Sequence, residues 1–306
     1  MSVNAVWRKL GLVFCPSGET PWMKSHAAVP VAESLGDSLF KIYFSSRDAH
    51  NRSYTGYVVV DIDRPERILE LSKDPVLSPG QLGEFDDSGA MASWLSHHEG
   101  QKFLYYIGWN LGVTVPFRNS IGLAISVKDN GFKRYSSGPI VDRSIDEPHF
   151  CASCCVIPGN NIWRMWYLSC TGWCMRDGKP EHRYHIKYAE SLDGIKWQRN
   201  GDIAIDFLNK QEYAISRPSV IADTDRLRMW YSFRGESYRI GYAESADGRK
   251  WERLDHQVGI DVSETGWDSE MIEYPYVFDH AGQRYMVYNG NGYGKTGFGL
   301  AVLEAG

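Results

Sequence analysis

The sequence lacks the features of membrane-spanning and nucleic-acid-binding proteins. No stretch reaches the roughly 18 apolar residues that a transmembrane helix needs, and residues 1–20 contain no long apolar run. The formal net charge of −5 provides no basic surface for a nucleic acid. No linker, low-complexity segment or amphipathic helix divides the 306 residues or suggests a docking partner. We therefore expect a single cytoplasmic domain over residues 1–306, with no membrane or nucleic-acid partner; the oligomeric state stays open.

The six cysteines also lack the spacing of a disulfide framework. Five of them cluster between residues 151 and 174, where a zinc site is conceivable. On a strand, however, Cys151 and Cys155 face one side and Cys154 faces the other, so the three thiols do not converge on one ion. The pattern favours buried, reduced thiols, and we predict no cofactor and no metal. A metal held by His26 and His149 is the alternative.

The sequence does contain a repeated stretch, at residues 186–199 and 240–253. In both copies an alternating apolar run ends at Ser-x-Asp-Gly and is followed by Trp197 or Trp251. Asp-Gly accommodates the positive φ of a tight turn, so each copy predicts two strands joined by a hairpin.

Weaker copies of this unit occur elsewhere in the chain. They lie at residues 55–61, 121–134 and 298–302, and the second copy has its turn at Asp129-Asn-Gly131. Two further apolar strands precede each of the five copies. Four strands repeated five times predict an all-β fold, a five-bladed β-propeller of four-stranded antiparallel blades.

The two ends of the chain complement each other in this scheme. The fifth unit stops at residues 302–304, without the outer strand that Trp197 and Trp251 begin in their units. A segment of the same Trp-Arg-Lys character lies at residues 7–10. We expect this N-terminal strand to complete the last blade and close the ring, which leaves no long open sheet edge.

Polar residues concentrate where each innermost strand begins. The loops before these strands and the hairpins between the middle strands face the same end of such a ring. The candidates for binding or catalysis at that end are His26, Asp86, Asp87, Glu147, His149, Glu212, Arg217 and Glu273, with Arg47 and Trp109 from the hairpins. Carboxylates that share a cavity raise one another's pKa, so that a protonated acid and an ionised base can coexist near neutral pH.

These blade repeats, the Ser-x-Asp-Gly-x-x-Trp hairpins and the Asp86-Asp87-Ser88-Gly89 segment resemble the five-bladed propeller glycosidases, the superfamily of glycoside hydrolase families 32, 43, 62, 68 and 130. The resemblance covers nearly the whole chain and implies a small-molecule carbohydrate in the axial pocket. It also implies an Asp at the head of blade one, a second Asp on blade two and a general-acid Glu on blade three. Blade two offers Asp86 or Asp87 and blade three Glu147, whereas blade one begins with His26.

The leading hypothesis is an enzyme that cleaves or transfers a glycosyl bond with two carboxylates. Asp87 is the predicted base or stabiliser and Glu273 the second carboxylate, with Glu147 as the alternative acid. The predicted substrate-binding residues are His26, Asp86, His149, Arg217, Glu212, Trp109 and Arg47. The alternatives are a lyase, dehydratase or epimerase that uses His26 on a sugar or nucleoside intermediate, and a carbohydrate-binding propeller without catalysis.

Overall fold

The computed structural model describes residues 6–127 and 131–304, and in these ranges the regular secondary structure is almost entirely β-strand. The prediction of an all-β fold is therefore confirmed. Two short helical turns occur, at Asp255–Gln257 and at Asn291–Gly294. None of the described helices is long and apolar enough to cross a membrane. Asp129, in the turn predicted for the second weak copy, lies outside the described residues.

The chain begins with strand β1 (Val6–Phe14), and the following strands form antiparallel groups along the sequence. The first group contains β2 (Ser25–Gly36), β3 (Leu39–Arg47), β4 (Ser53–Asp61) and β5 (Arg64–Leu71). The second group contains β6 (Gly89–His98), β7 (Gln101–Leu111), β8 (Phe117–Ser126) and β9 (Phe132–Arg134). The third group contains β10 (Cys151–Ile157), β11 (Trp163–Arg176), β12 (Lys179–Ser191), β13 (Trp197–Gln198) and β14 (Ile203–Ile205).

The fourth group contains β15 (Ala214–Ala222), β16 (Leu227–Arg234), β17 (Tyr238–Ser245) and β18 (Glu252–Arg253). The fifth group contains β19 (Glu273–His280), β20 (Gln283–Asn289) and β21 (Phe298–Glu304), together with β1. Within each group neighbouring strands are antiparallel. Single parallel bridges join the first group to the second, at Ser53 and Gly89, and the third to the fourth, at Tyr184 and Ala214.

The first and last strands of the chain pair with each other. Strand β1 runs antiparallel to β21, from the pair Val6 and Glu304 to the pair Phe14 and Phe298. Trp7 is buried and packs edge-on against Trp230 of the fourth group, with ring centroids 5.9 Å apart. The N-terminal strand therefore contacts both of the last two groups.

The repeated Ser-x-Asp-Gly motif forms a turn that also docks onto the preceding group. In the third group, Ser191 Oγ accepts a hydrogen bond from the Gly194 amide at 2.9 Å, and Gly194 has a φ of +71°. The hydroxyl of Tyr105, in the second group, donates to the Gly194 carbonyl at 2.9 Å. In the next copy, Trp166 Nε1 of the third group donates to the Gly248 carbonyl at 2.8 Å. The motif thus fixes the contact between consecutive groups as well as the local hairpin.

Candidate active site

A cavity of about 540 Å³ opens where the innermost strands of all five groups begin. Its wall is aromatic and cationic. The aromatic lining consists of Trp109, Phe117, Phe150, Tyr184, Tyr238, Tyr274 and Tyr293. Three arginines line it as well: Arg47, Arg217 and Arg234. Among the described residues that line it, none is an aspartate or a glutamate.

A β-bulge or register irregularity interrupts each innermost strand near the cavity. The irregularities fall at residues 28–31, 92–94, 152–154, 216–219 and 273–276. Val29, Arg217 and Tyr274 lie in these segments, line the cavity, and have φ values of 55°, 53° and 53°. Side chains with a β-carbon rarely adopt this backbone conformation, and bulges often re-aim a side chain at a functional site. The irregularities therefore direct these side chains toward the space between the groups.

Arg217 lies in the centre of this arrangement and is fully buried. Its Nη1 donates to the carbonyl of Ser93, and its Nη2 donates to the carbonyl of Pro30 at 2.8 Å. The backbone amide of Arg217 donates to Ser153 Oγ at 3.1 Å. Burial lowers the pKa of Arg217 to about 10, so the guanidinium remains charged at neutral pH. Through its side chain and its backbone amide, this one residue thus connects the inner strands of four groups.

Arg47 and Arg234 lie at the cavity wall on either side of its tyrosines. Arg234 Nη1 donates to the hydroxyl of Tyr293 at 2.7 Å, and its guanidinium lies 5.6 Å from the centre of the Tyr238 ring. Burial lowers the pKa of Arg47. Arg47, Arg217 and Trp109, which were predicted to bind substrate, all line the cavity.

Glu273 begins β19 beside the lining residue Tyr274 and is fully buried. Neither of its carboxyl oxygens has a hydrogen-bond partner among the described residues. Burial raises the pKa of Glu273 well above its usual value, and the nearby Arg234 charge opposes this shift without cancelling it. Burial therefore favours the protonated form of Glu273. Its predicted catalytic role stays a prediction.

Tyrosines lie near this carboxyl group, and an imidazole stacks on one of them. The hydroxyls of Tyr184 and Tyr238 form a hydrogen bond of 2.5 Å. The ring of His182 stacks on Tyr184 at a centroid distance of 4.7 Å, and His182 lines the cavity. Burial lowers the pKa of His182 to about 4, so its imidazole is neutral at neutral pH.

The two histidines predicted at the cavity lie outside its lining. Ser25 Oγ is 2.8 Å from His26 Nδ1, and burial, followed by the charges of Arg47 and Lys295, lowers the pKa of His26 to about 4. His149 lines a separate, smaller cavity of about 150 Å³, together with Trp173. The described residues contain no cluster of three potential metal-binding side chains. The predicted role of each histidine in substrate binding stays a prediction.

The acids that precede the innermost strands form ion pairs within their own groups. Asp86 is fully buried, accepts a hydrogen bond from the Tyr106 hydroxyl at 3.0 Å, and pairs with Arg134 at 2.8 Å. Its neighbour Asp87 accepts hydrogen bonds from the Gly83 amide at 3.1 Å and from Ser88 Oγ at 3.0 Å. Neither aspartate is among the lining residues of the 540 Å³ cavity.

The third and fourth groups repeat the pattern of Asp86. Glu147 accepts a hydrogen bond from the Tyr167 hydroxyl at 2.8 Å and forms ion pairs with Lys187 and Arg199. Glu212 pairs with Arg253 at 2.7 Å. Both glutamates are buried and neither lines the cavity. Their predicted catalytic and binding roles stay predictions, but the structure directs their carboxylates into the sheets.

The fifth group completes the series with an acid that sequence inspection did not single out. Asp268 accepts a hydrogen bond from the Tyr288 hydroxyl at 2.9 Å and pairs with Lys9 of β1 at 2.7 Å. In four groups, then, an acid before the innermost strand pairs with a cation on an outer segment. We call this set of contacts the acid lock. Its four acids are Asp86, Glu147, Glu212 and Asp268.

Several cavity residues were not identified individually from the sequence. His182 and Arg234 lie at hairpin ends that were recognised as segments, but no pattern separated them from their neighbours. Tyr184, Tyr238 and Tyr293 have the composition of ordinary strand and loop aromatics. The signal that could have identified them is their position, since each lies at the cavity end of a predicted strand or hairpin.

Two curated proteins of Mycobacterium tuberculosis match this chain over nearly its whole length. MT1551, of strain CDC 1551 / Oshkosh, and Rv1502, of strain ATCC 25618 / H37Rv, are both described as uncharacterized. Each is 47% identical over 298 residues, which cover 97% of this chain and 99% of the relative. No family model matches the sequence.

Solved structures of glycoside hydrolases share the fold of this chain. One described as a glycoside hydrolase has a TM-score of 0.74 at 17% identity and covers 98% of this chain and 91% of its own. A thermostable family-43 glycoside hydrolase has a TM-score of 0.66 at 16% identity, covering 92% and 88%. The Bombyx mori family-32 β-fructofuranosidase BmSUC1 has a TM-score of 0.61 at 13% identity, covering 92% and 61%. The resemblance to this superfamily is therefore confirmed at the level of the fold.

Proposed function

We propose that this chain, which belongs to the family of the Mycobacterium tuberculosis proteins MT1551 and Rv1502, is a carbohydrate-active enzyme that cleaves or transfers a glycosyl bond. Three features support the proposal: the fold shared with glycoside hydrolases, a central cavity of about 540 Å³, and a buried carboxyl group beside it. Clefts of this size with an aromatic wall suit small-molecule ligands. Fold alone does not establish an activity, so the argument depends on the site.

The architecture that we propose for the site is a single domain over residues 1–306, a ring of five blades. Each of the five antiparallel groups is one blade, and β1 closes the ring as the outer strand of the fifth. The pairing of β1 with β21 supports this closure. So does the ion pair between Lys9 and Asp268, because Lys9 occupies the position that Arg134 and Arg253 hold in their own acid locks. A closed ring places all five innermost strands around one cavity.

Glu273 is the proposed general acid, and the hypothesis of glycosyl-bond cleavage depends mainly on this residue. A glycosidase acid must hold its proton at neutral pH and deliver it to the leaving oxygen of the glycosidic bond. Burial of Glu273 holds the proton, and its two unpartnered oxygens are not committed to a structural hydrogen bond. Asp87 and Glu147, the other predicted catalytic carboxylates, have structural partners away from the cavity.

His182 is the proposed acceptor of the second proton. It lines the cavity, and its neutral imidazole can accept a proton from an attacking water or hydroxyl group. The nearby tyrosine hydroxyls of Tyr184, Tyr238 and Tyr274 are protonated, since burial raises the pKa of all three. They can therefore donate hydrogen bonds to sugar hydroxyls while their rings contact the sugar faces.

In a second candidate function the substrate is still a sugar, but the reaction is not hydrolysis of a glycosyl bond. The described cavity lining contains a neutral imidazole and no pair of carboxylates, which also suits abstraction of a proton from carbon. The reaction would then be that of a lyase, dehydratase or epimerase, with His182 rather than His26 as the base. A carbohydrate-binding propeller without catalysis is the third possibility, and the same experiment separates all three.

The experiment is a mass-spectrometric screen of the purified protein with alkyl and aryl glycosides, sugar nucleotides and nucleosides in deuterated water. Cleavage of a glycosyl bond by the native protein, lost in Glu273→Gln, supports the proposal. Uptake of carbon-bound deuterium or loss of water, with the glycosidic bond intact, replaces it with the second candidate. Saturable binding without any product supports the third possibility, a carbohydrate-binding propeller without catalysis. Glu66→Gln, at an exposed position on β5, is the matched control.

A further inference from the structure

The three arginines of the cavity differ from two other arginines of low exposure, Arg253 and Arg284, in having no acidic partner. Arg253 pairs with Glu212 and Asp255, and Arg284 pairs with Asp223 and Asp279. Arg47, Arg217 and Arg234, in contrast, form no ion pair with any carboxylate in the described ranges 6–127 and 131–304. The cavity therefore gathers cationic groups whose charges the protein itself does not balance.

Arg217 has the donors to hold a ligand. A guanidinium carries five N–H groups, and the carbonyls of Ser93 and Pro30 occupy two of them. Its Nε has no partner among the described residues, although the side chain is fully buried and lines the cavity. Arg234 Nε, on the neighbouring strand β16, is likewise buried without a partner among the described residues. Buried polar groups in folded proteins are almost always hydrogen-bonded, so these donors indicate a missing acceptor.

The remaining titratable groups at the cavity do not neutralise these cations. Glu273, beside the cavity, forms no ion pair with any of the three arginines in the described ranges, and burial raises its pKa and so disfavours its charged form. His182 is neutral and contributes no positive charge either. A buried charge without a counter-ion is destabilising, and a bound anion removes that cost. Arginine is also the side chain best matched to carboxylate and phosphate oxygens, which it binds through two parallel hydrogen bonds.

We propose that the cavity takes an anionic glycoside, whose carboxylate or phosphate oxygens bind Arg217 with support from Arg47 and Arg234. This inference rests on the proposed function, since it names the substrate class of the same site. The aromatic wall contacts the sugar ring, and the arginines select the acidic substituent. The same donors also fit a free oxyanion that enters beside a neutral sugar, so the test separates these two sources of the anion.

The test is titration calorimetry of the purified protein with matched pairs of sugars. Each uronic acid methyl glycoside is compared with the corresponding neutral methyl hexoside, and each hexose 6-phosphate with its hexose. Inorganic phosphate and acetate are titrated alone and then together with each neutral sugar. We expect at least one anionic sugar to bind at least about tenfold more tightly than its neutral partner, as loss of a charge-assisted hydrogen bond implies.

The outcomes distinguish this inference from the proposed function. Equal affinity for both members of every pair, with no effect of free anions, overturns the anionic inference and leaves the carbohydrate function standing. Tight binding of phosphate or acetate that raises the affinity for a neutral sugar supports the arginine site and assigns the anion to a separate molecule. Binding of free anions without any sugar overturns the proposed function but keeps the arginine site. Absence of all binding overturns both.

Variants of two cavity arginines test whether these side chains contact the anionic group of the sugar. Arg217→Met removes the central guanidinium and is expected to abolish the preference for the anionic sugar; because Arg217 also contacts two inner strands, its folding is checked by circular dichroism. Arg47→Gln, whose side chain has no ion pair to lose, gives the second test, with an expected loss of about tenfold for the anionic sugar and none for its neutral partner. Arg226→Gln, which removes an exposed arginine paired with Asp225 and Glu244, is the control. An unchanged preference in both cavity variants contradicts the proposal.

Discussion

Arg217 Nη2 donates to the carbonyl oxygen of Pro30 at 2.8 Å, across 187 positions of the sequence. The two residues belong to the innermost strands of the fourth and first groups, so this hydrogen bond crosses the space between the groups. It fixes the guanidinium at the centre of the molecule, where it lines the cavity. The contact therefore links the packing of the inner strands to the charge of the site, and a change at either residue affects both.

Glu273 makes the stability of the protein depend on pH in a definite direction. Its pKa is raised above the ordinary value of 4.5, so above about pH 4.5 the folded chain keeps a proton that the unfolded chain releases. Stability from this group is thus fully present below that pH and is lost as the pH rises. The free energy of unfolding of the native protein minus that of Glu273→Gln should fall as the pH rises above 5, by at most about 1.4 kcal/mol per pH unit.

Urea unfolding of both proteins at several pH values between 5 and 8 measures this difference, in which the other titrating groups cancel. The exposed Glu66→Gln variant should show a difference that does not change with pH. A flat difference for Glu273→Gln as well would mean that Glu273 is ionised in the folded protein, and would remove it as the general acid.

The acid lock predicts a structural role for Glu147. Burial alone would raise the pKa of this carboxyl group, but hydrogen bonds and charge interactions with Lys187, Tyr167 and Arg199 lower it. Glu147→Gln leaves two partly buried cations without their partner and should reduce the free energy of unfolding by about 3 kcal/mol. Sugar binding and turnover per folded molecule should stay at the native level. Loss of turnover with native stability would instead assign Glu147 to catalysis.

The proposed closure of the ring by β1 predicts that the N-terminal strand is essential for stability. Trp7 is 4% exposed and packs against Trp230, so Trp7→Ala should reduce the free energy of unfolding by about 3–5 kcal/mol. Thermal and urea unfolding measure this loss. Val6→Ala, at an exposed position on the same strand, is the control and should stay close to native. Native stability of Trp7→Ala would contradict the closure.

The number of cysteines that a thiol reagent can modify tests the prediction that the clustered thiols are buried and reduced. Cys15 and Cys174 are exposed, whereas Cys151, Cys154, Cys155 and Cys170 are buried and none is in a disulfide. Burial raises the pKa of Cys151 and Cys154 to about 12 and that of Cys170 to about 11, so these thiols are not reactive thiolates. A thiol reagent should modify two groups in the native protein and six in urea. Further native reactivity, or fewer than six in urea, would contradict this assignment.

Local sequence patterns predicted the strands well because the repeated unit contains its own turn chemistry. Ser191 and Asp193 bond to the backbone of their own turn, so the hairpin can be recognised without knowing its neighbours. The docking of that turn onto Tyr105 of the preceding group was not predictable in the same way. It depends on a contact between residues 89 positions apart, for which the pattern of one unit provides no information.

The position of the candidate acids was predicted, but the direction of their side chains was not. Asp86 and Glu147 do precede innermost strands, as the repeats indicated. Their carboxylates turn into the sheet because Arg134 and Arg199, on outer segments, offer buried ion pairs there. Glu273 has no such cation and stays beside the cavity without a partner. The available signal for this difference was a cationic residue two positions after an outer-strand aromatic residue, as at Phe132, Trp197, Trp251 and Trp7.

The proposal that Glu273 is a general acid is tested most directly by changing the leaving group. A nitrophenolate departs with little protonation, whereas an alkoxide requires a proton from the acid. For two glycosides of the same sugar, we predict that Glu273→Gln lowers kcat/KM at least about 100-fold for the alkyl glycoside and much less for the nitrophenyl glycoside. An equal loss for both substrates, or native turnover of the alkyl glycoside by the variant, would contradict the account.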